Sequence, residues 1–316
     1  MSRVLVTGAA GYLGSVLCEH LLNAGHHVMA LDNAEASPAS LHHLLAHPDF
    51  EFICGDARQN QALQKLLKDA DALIPLAAVV GAPACERDPE LAASINLEAT
   101  RVLNRLRRPD QAVIFPMTTS YRANGNLLCT EDTPMEGKSL YVRLKLQAEK
   151  ELLESPHAVS LRLASMFGLS PKMRWDLLAH HFIFAACTQG SVEIFEKNHI
   201  RNFVHVRDAA DSFIFALKHF RAMSGRPYHV GLASGNISKW ELALKIQAHV
   251  PRFEIRTGCA SGQDLDQRNA ALSYERLGQA GFVACRSLEE GIGELVEAFH
   301  ILRPRGDCGS FGPSFV

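Results

Sequence analysis

The run Val4-Leu5-Val6-Thr7-Gly8-Ala9-Ala10-Gly11-Tyr12-Leu13-Gly14 constrains this chain more than any other stretch. Val4 to Val6 is apolar, without charge or breaker, and reads as a buried parallel strand. Gly8, Gly11 and Gly14 follow, and then the helical pattern Tyr12, Leu13, Val16, Leu17, His20, Leu21. Gly8 suits a tight turn out of the strand. Gly11 leaves room for a pyrophosphate against backbone N–H groups, and Gly14 lets the helix lie close on the sheet. The helix N-terminus offers unpaired donors and a positive dipole end to a diphosphate.

Gly25 closes that helix as a C-cap, and His27 to Leu31 reads as a second strand with Asp32 at its end. A carboxylate there accepts both ribose hydroxyls of an adenosine and repels a 2′-phosphate, which favours NAD over NADP. A strand-end aspartate can also cap a turn. The full strand–turn–helix–strand context speaks for the ribose role.

At 316 residues the chain is one large domain or two intimate ones. Its net charge of -2 and lack of a basic run argue against a nucleic-acid partner. No apolar window is long enough for a bilayer, and Met1 leads straight into the first strand, so a cytoplasmic location without a signal peptide is expected. The eight cysteines are scattered and read as reduced thiols. Histidines at 26–27, 42–43 and 180–181 are adjacent pairs that point to different faces, so no metal centre is expected.

Strands and helices then alternate, which implies right-handed crossovers and a parallel sheet. A short helix is expected around Leu41 to Ala46, a strand at Phe50 to Cys54, a further strand and its exit at Ala72 to Ala78, and one long helix from Pro89 to Arg107. Asp56 can accept from an adenine amino group or simply form a turn. Asn96, among apolar helix residues, needs a buried partner. Ala112 to Phe115 is a fifth strand ending in the hydroxyl-rich Thr118-Thr119-Ser120-Tyr121. Ser139 caps a helix to Leu153, and Val159 to Leu163 is a sixth strand. Residues 1–165 read as a Rossmann-like, doubly wound α/β domain to which 203–231 returns. Residues 166–202 and 232–302 read as a smaller C-terminal substrate-binding region, and 303–316 as a tail.

A dinucleotide half-site needs a reactive centre. Tyr141 and Lys145 are four apart on one helix face. A free tyrosine titrates near 10, but a cation one turn away and a positive nicotinamide favour the phenolate. Lys145 would supply that cation and hold the nicotinamide ribose. Thr118 can hydrogen-bond the reacting oxygen, with Ser120 as rival or as substrate contact. In an arbitrary protein Tyr-x-x-x-Lys is only an exposed helix pair. Here it follows a hydroxyl-rich strand end downstream of a dinucleotide fingerprint.

These stretches resemble the extended short-chain dehydrogenase/reductase family, specifically its NAD-dependent nucleotide-sugar epimerases and dehydratases. The matching segments are Thr7 to Gly14, Asp32, Gly55-Asp56, Leu76 to Ala78, Asn96, Thr118 to Ser120, Tyr141 to Lys145 and Arg201 to Asp211. The resemblance implies tightly held NAD, contacted by Gly8, Gly11, Tyr12, Leu13, Gly14, Asp32, Asn33, Asp56, Ala57, Leu76, Ala77, Ala78, Tyr141 and Lys145. It implies a nucleotide-diphosphate sugar near Ser120, Ser165, Arg174, Arg201 and either Asp264 or Arg268. Arg201 matches the family's diphosphate arginine, whereas Arg174 is equally well a solvated arginine. It also implies a homodimer through the helices that carry Asn96 and Tyr141.

Three departures matter. Pro75 stands where the family often has histidine, and Tyr121-Arg122-Ala123 replaces the usual Val-Tyr-Gly. No Asp-Glu pair follows Thr118, and members resembling 4,6-dehydratases use that pair to eliminate water. The resemblance therefore favours epimerisation at C4, with a nucleotide-sugar dehydrogenase or reductase as the alternative. A catalytically silent NAD-binding regulatory protein is the competing class, which turnover on nucleotide sugars would separate.

Overall fold

A computed structural model describes residues 1–34, 38–119, 128–155, 157–258 and 268–302. Seven strands form one sheet: β1 (Arg3–Thr7), β2 (His27–Asp32), β3 (Phe50–Cys54), β4 (Ala72–Pro75), β5 (Ala112–Thr118), β6 (Ala158–Leu163) and β7 (Pro227–Val230). Their spatial order is β7-β6-β5-β4-β1-β2-β3, and every neighbouring pair is parallel. Chain order reverses between β1 and β4. In an open α/β sheet the ligand crevice lies outside the strand ends at that switch point.

Alternation along the strands sends side chains into two separate cores. Val4 and Val6 join one with Val16, Leu17 and Leu21 of the helix Tyr12–Asn23. Leu5 joins the other with Val142, Ala148 and Leu152 of the helix Leu140–Leu153. Both faces being covered, Val4, Leu5 and Val6 are fully buried.

The chain leaves the sheet at Ser165 and re-enters it with β7, where Tyr228 pairs with Leu161. Between the two, the helix Val206–Lys218 contributes Ala209, Ala210 and Phe213 to the first core. A third core, including Phe182, Ile183, Leu242, Phe253, Leu288 and Ile292, joins the helices Leu178–Thr188, Lys239–His249 and Leu288–Leu302. The division expected at residue 232 does not follow the packing. Leu277 and Ala284 lie in the first core, and Arg276 donates to the Pro227 carbonyl of β7.

Two local expectations change. Pro38–Leu44 is a 3₁₀ segment rather than an α-helix around Leu41 to Ala46. The helix expected from Pro89 to Arg107 is Pro89–Ala93, a π-helical turn Ser94–Glu98, and Ala99–Leu106. Leu91, in the first of these segments, is 37% exposed although it belongs to the apolar pattern. Among the described residues no helix is long and apolar enough to cross a membrane.

Candidate active site

The glycine turn explains its own sequence. Gly8 has φ +70°, and a Cβ there would sit 2.6 Å from the Ala77 nitrogen. A Cβ on Gly14 would lie 2.3 Å from the Gly8 carbonyl oxygen. The turn thus approaches Leu76-Ala77-Ala78 at the exit of β4 so closely that only glycine fits. Thr7 ties the two together, with its carbonyl accepting from the Leu76 N–H and its Oγ1 from the Ala77 N–H. Gly11 is the N-cap of the helix Tyr12–Asn23, and no side chain caps it. Its first-turn amides, at Tyr12, Leu13 and Gly14, fit a diphosphate.

Asp32 sits at the end of β2, with one carboxylate oxygen accepting from the Ala10 N–H and the other from the Ala34 N–H, both at 3.0 Å. Its charge therefore stands against the glycine turn, and Asn33 beside it is exposed. Asp56 and Ala57 follow β3. Arg58 hydrogen-bonds both Asp56 oxygens and holds its carboxyl below the usual carboxylate range. Asn96 lies in the π-helical turn. It accepts from the Val79 N–H (2.8 Å) and donates to the Val79 carbonyl (2.9 Å), fixing the chain just past Ala78.

Thr118 ends β5, opposite Leu163 of β6, and is buried. Thr119 donates to the Leu163 carbonyl at 3.1 Å. Ser139 caps the helix Leu140–Leu153 by accepting from the Val142 N–H. That places Tyr141 and Lys145 on successive turns of one face, packed with Met117 and Phe115 of β5. Lys145 is 4% exposed, with its ammonium 3.9 Å from the Phe115 ring centroid. Burial pulls its pKa down to about 7, and the Glu149 carboxylate works against that fall.

The remaining candidates fall into two groups. Arg174 binds Asp176 through its guanidinium and lies within electrostatic range of the Tyr141 and Tyr12 phenols. Its carbonyl accepts from His180 Nδ1 (2.7 Å), and His180 Nε2 accepts from the Gly168 N–H. Tyr12 donates to the Gly168 carbonyl at 2.8 Å. His180 therefore joins the cofactor turn to the Arg174 segment. Sequence reasoning missed this role, because a histidine pair on a helix gives no sign of which ring is buried. Arg201 is buried and donates to the Arg268 carbonyl, so these two arginines lie together, well apart in sequence. Ser165 opens a short strand beside Phe203–His205, and its N–H donates to the Asn202 carbonyl. Ser120 and Asp264 lie outside the described residues.

This is the layout of an enzyme that works on a dinucleotide at the switch point of a Rossmann-like sheet. The family model described as NAD dependent epimerase/dehydratase family matches residues 4–231, and the chain belongs to that family, within the extended short-chain dehydrogenases/reductases. NAD is its cofactor. A UDP-glucose 4-epimerase from Lactobacillus helveticus is 26% identical over 77% of this chain and 81% of its own. The UDP-glucose 4-epimerase of Thermus thermophilus, solved with NAD, superposes with a TM-score of 0.79 at 22% identity, covering 94% of this chain and 99% of its own. A dTDP-glucose 4,6-dehydratase from Bacillus anthracis, also solved with NAD, gives 0.82 at 18% identity, covering 96% and 97%. Both structural likenesses show the fold.

Proposed function

We propose that the enzyme interconverts nucleoside-diphosphate hexoses epimeric at C4. The observation that supports this reading is that Thr118 ends β5, while Tyr141 packs in one core with Met117 and Lys145 lies over Phe115, both of that strand. Bound NAD supplies the hydride acceptor and donor. Tyr141 takes the proton of the C4 hydroxyl and later returns it. Thr118 holds that oxygen in place, and Lys145 donates to the nicotinamide ribose while its charge favours the phenolate. Gly8, Gly11, Tyr12, Leu13 and Gly14 would hold the cofactor diphosphate, Asp32 and Asn33 its adenosine ribose, and Asp56 and Ala57 its adenine, with Leu76, Ala77 and Ala78 flanking it. Arg201 and Arg268 take the substrate diphosphate. Ser165 and Arg174 face the sugar. The wider family match, which includes UDP-glucose 4-epimerases, supports a nucleotide sugar as substrate.

Elimination across C5–C6 needs an acid and a base beside Tyr141. The residues after Thr118 are Thr119 and Ser120, and hydroxyls are poor acceptors of a proton from carbon. The test is NMR of the sugar product after incubation with nucleotide hexoses. A C4 epimer is expected, and Tyr141→Phe should keep NAD while losing about 10²–10⁴ in turnover. A 6-deoxy-4-keto product would refute the reading. NADH formed in step with a stable ketone would favour a dehydrogenase. Sedimentation of the same preparation checks the homodimer through the helices bearing Asn96 and Tyr141.

A further inference from the structure

Lys145 has a difficult position. Its ammonium lies over the face of Phe115, inside a core, where an aromatic quadrupole replaces only part of the lost hydration. Yet the role proposed for it requires the protonated form. Tyr141 lies one turn before it on the helix and Glu149 one turn after. Glu149 is 3% exposed. One carboxylate oxygen accepts from Ser160 Oγ (2.5 Å) and Arg162 Nε (2.9 Å), and the other from Arg162 Nη2 (2.9 Å). Ser160 and Arg162 project from the same face of β6, and Arg162 is held in turn by the Glu131 carbonyl. A buried carboxylate keeps its charge only with such partners. Among the described residues Glu149 is the charged group that acts on Lys145. Arg162 and Glu131 stand behind it, and Arg174 faces Tyr141. A buried ion pair is a weak source of stability compared with apolar packing, so its place behind this lysine calls for another account.

We infer that Glu149 is a positioning residue for the reaction: fixed by Ser160 and Arg162 one helical turn beyond Lys145, its carboxylate favours the protonated lysine and so keeps Tyr141 ready to take the substrate proton. The inference rests on the roles proposed above for Tyr141 and Lys145. Glu149 acts through Lys145 and exchanges no proton itself.

The test is calorimetric NAD affinity of the full chain across about pH 5.5 to 9.5, a range that spans the lysine's titration. Wild-type affinity should fall as pH rises through the Lys145 pKa. In Glu149→Gln, which keeps the shape and loses the charge, the midpoint should move down by roughly one pH unit. Affinity at the acid end should stay unchanged. Glu149→Asp, which keeps the charge, should restore the wild-type midpoint. Glu149→Gln leaves Arg162 buried without its partner and can fail to fold. The double variant Glu149→Gln, Arg162→Met strands no charge; losing the nearer anion and the farther cation together, it should also move the midpoint down, by less than the single variant. An unmoved midpoint in whichever of these folds overturns the inference. Undiminished turnover of Tyr141→Phe would instead overturn the parent reading and leave a shifted NAD midpoint standing.

Discussion

Asp32 sets cofactor choice through charge. Its carboxylate stands against the glycine turn by accepting from Ala10 and Ala34. Asp32→Ala should therefore cost NAD binding about 2 kcal/mol, roughly thirtyfold, as expected of hydrogen bonds to a charged group. The same change should bring NADP closer to NAD, because the 2′-phosphate no longer meets a carboxylate. Calorimetry with both cofactors checks this, and an unchanged ratio of affinities refutes it. The placement of Asp32 at a strand end, and of Tyr141 and Lys145 on one helix face, was legible in the sequence, because each sits at a fixed offset from a strand end or a helical neighbour. The Glu149–Arg162 pair was not. Its partners lie 13 residues apart on a helix and a strand, and only packing brings them to 2.9 Å. One signal was present: a charged Arg162 inside the apolar strand Val159 to Leu163 must find a partner when both sheet faces are covered.

At the scale of elements, the buried strands were readable as apolar runs and the helix start at Ser139 as a cap. The strand Glu254–Thr257 was not readable, since its alternating charges leave it mostly exposed beside Ser191–Ile194. The π-helical turn Ser94–Glu98 was hidden for a different reason. Regular 3.6 periodicity assigns no extra residue, so the apolar pattern runs through the insertion without marking it. Asn96 within that turn satisfies both the N–H and the carbonyl of Val79. Asn96→Ala leaves the half-buried Val79 N–H without its side-chain acceptor, while the Val79 carbonyl keeps the Cys85 thiol, and should lower the unfolding free energy by about 1–2 kcal/mol. The expected drop in Tm is several degrees for a chain of this size. A melting curve of the cofactor-free protein measures it, and a Tm within a degree of wild type would show that water replaces Asn96 without loss.

For the whole molecule, the alternation of strands and helices announced the parallel sheet, and the change of rhythm after Ser165 falls where the chain leaves that sheet. The boundary within 232–302 was not legible, because Leu277 and Ala284 pack on the first core across a long sequence distance. Where the regions meet, buried histidines make the fold sensitive to acid. Burial pulls His180 down to about 4, between the cofactor turn and the Arg174 segment. His229 in β7 is likewise lowered by burial, beneath Glu131. In the unfolded chain both titrate near 6.5. Between that value and about 4 the unfolded state therefore binds protons that the folded state refuses, so stability is lost as pH falls through this window. For His180 alone the loss reaches about 3 kcal/mol at the acid end. Denaturant titrations at neutral pH and at several points down to about pH 4.5 should show a steep fall, setting in before carboxylates protonate. His180→Gln removes one of these titrating groups. It should lower stability at neutral pH, where the Gly168 and Arg174 hydrogen bonds are disturbed, and flatten the acid slope. A variant with the same slope as wild type would place the acid sensitivity outside this histidine.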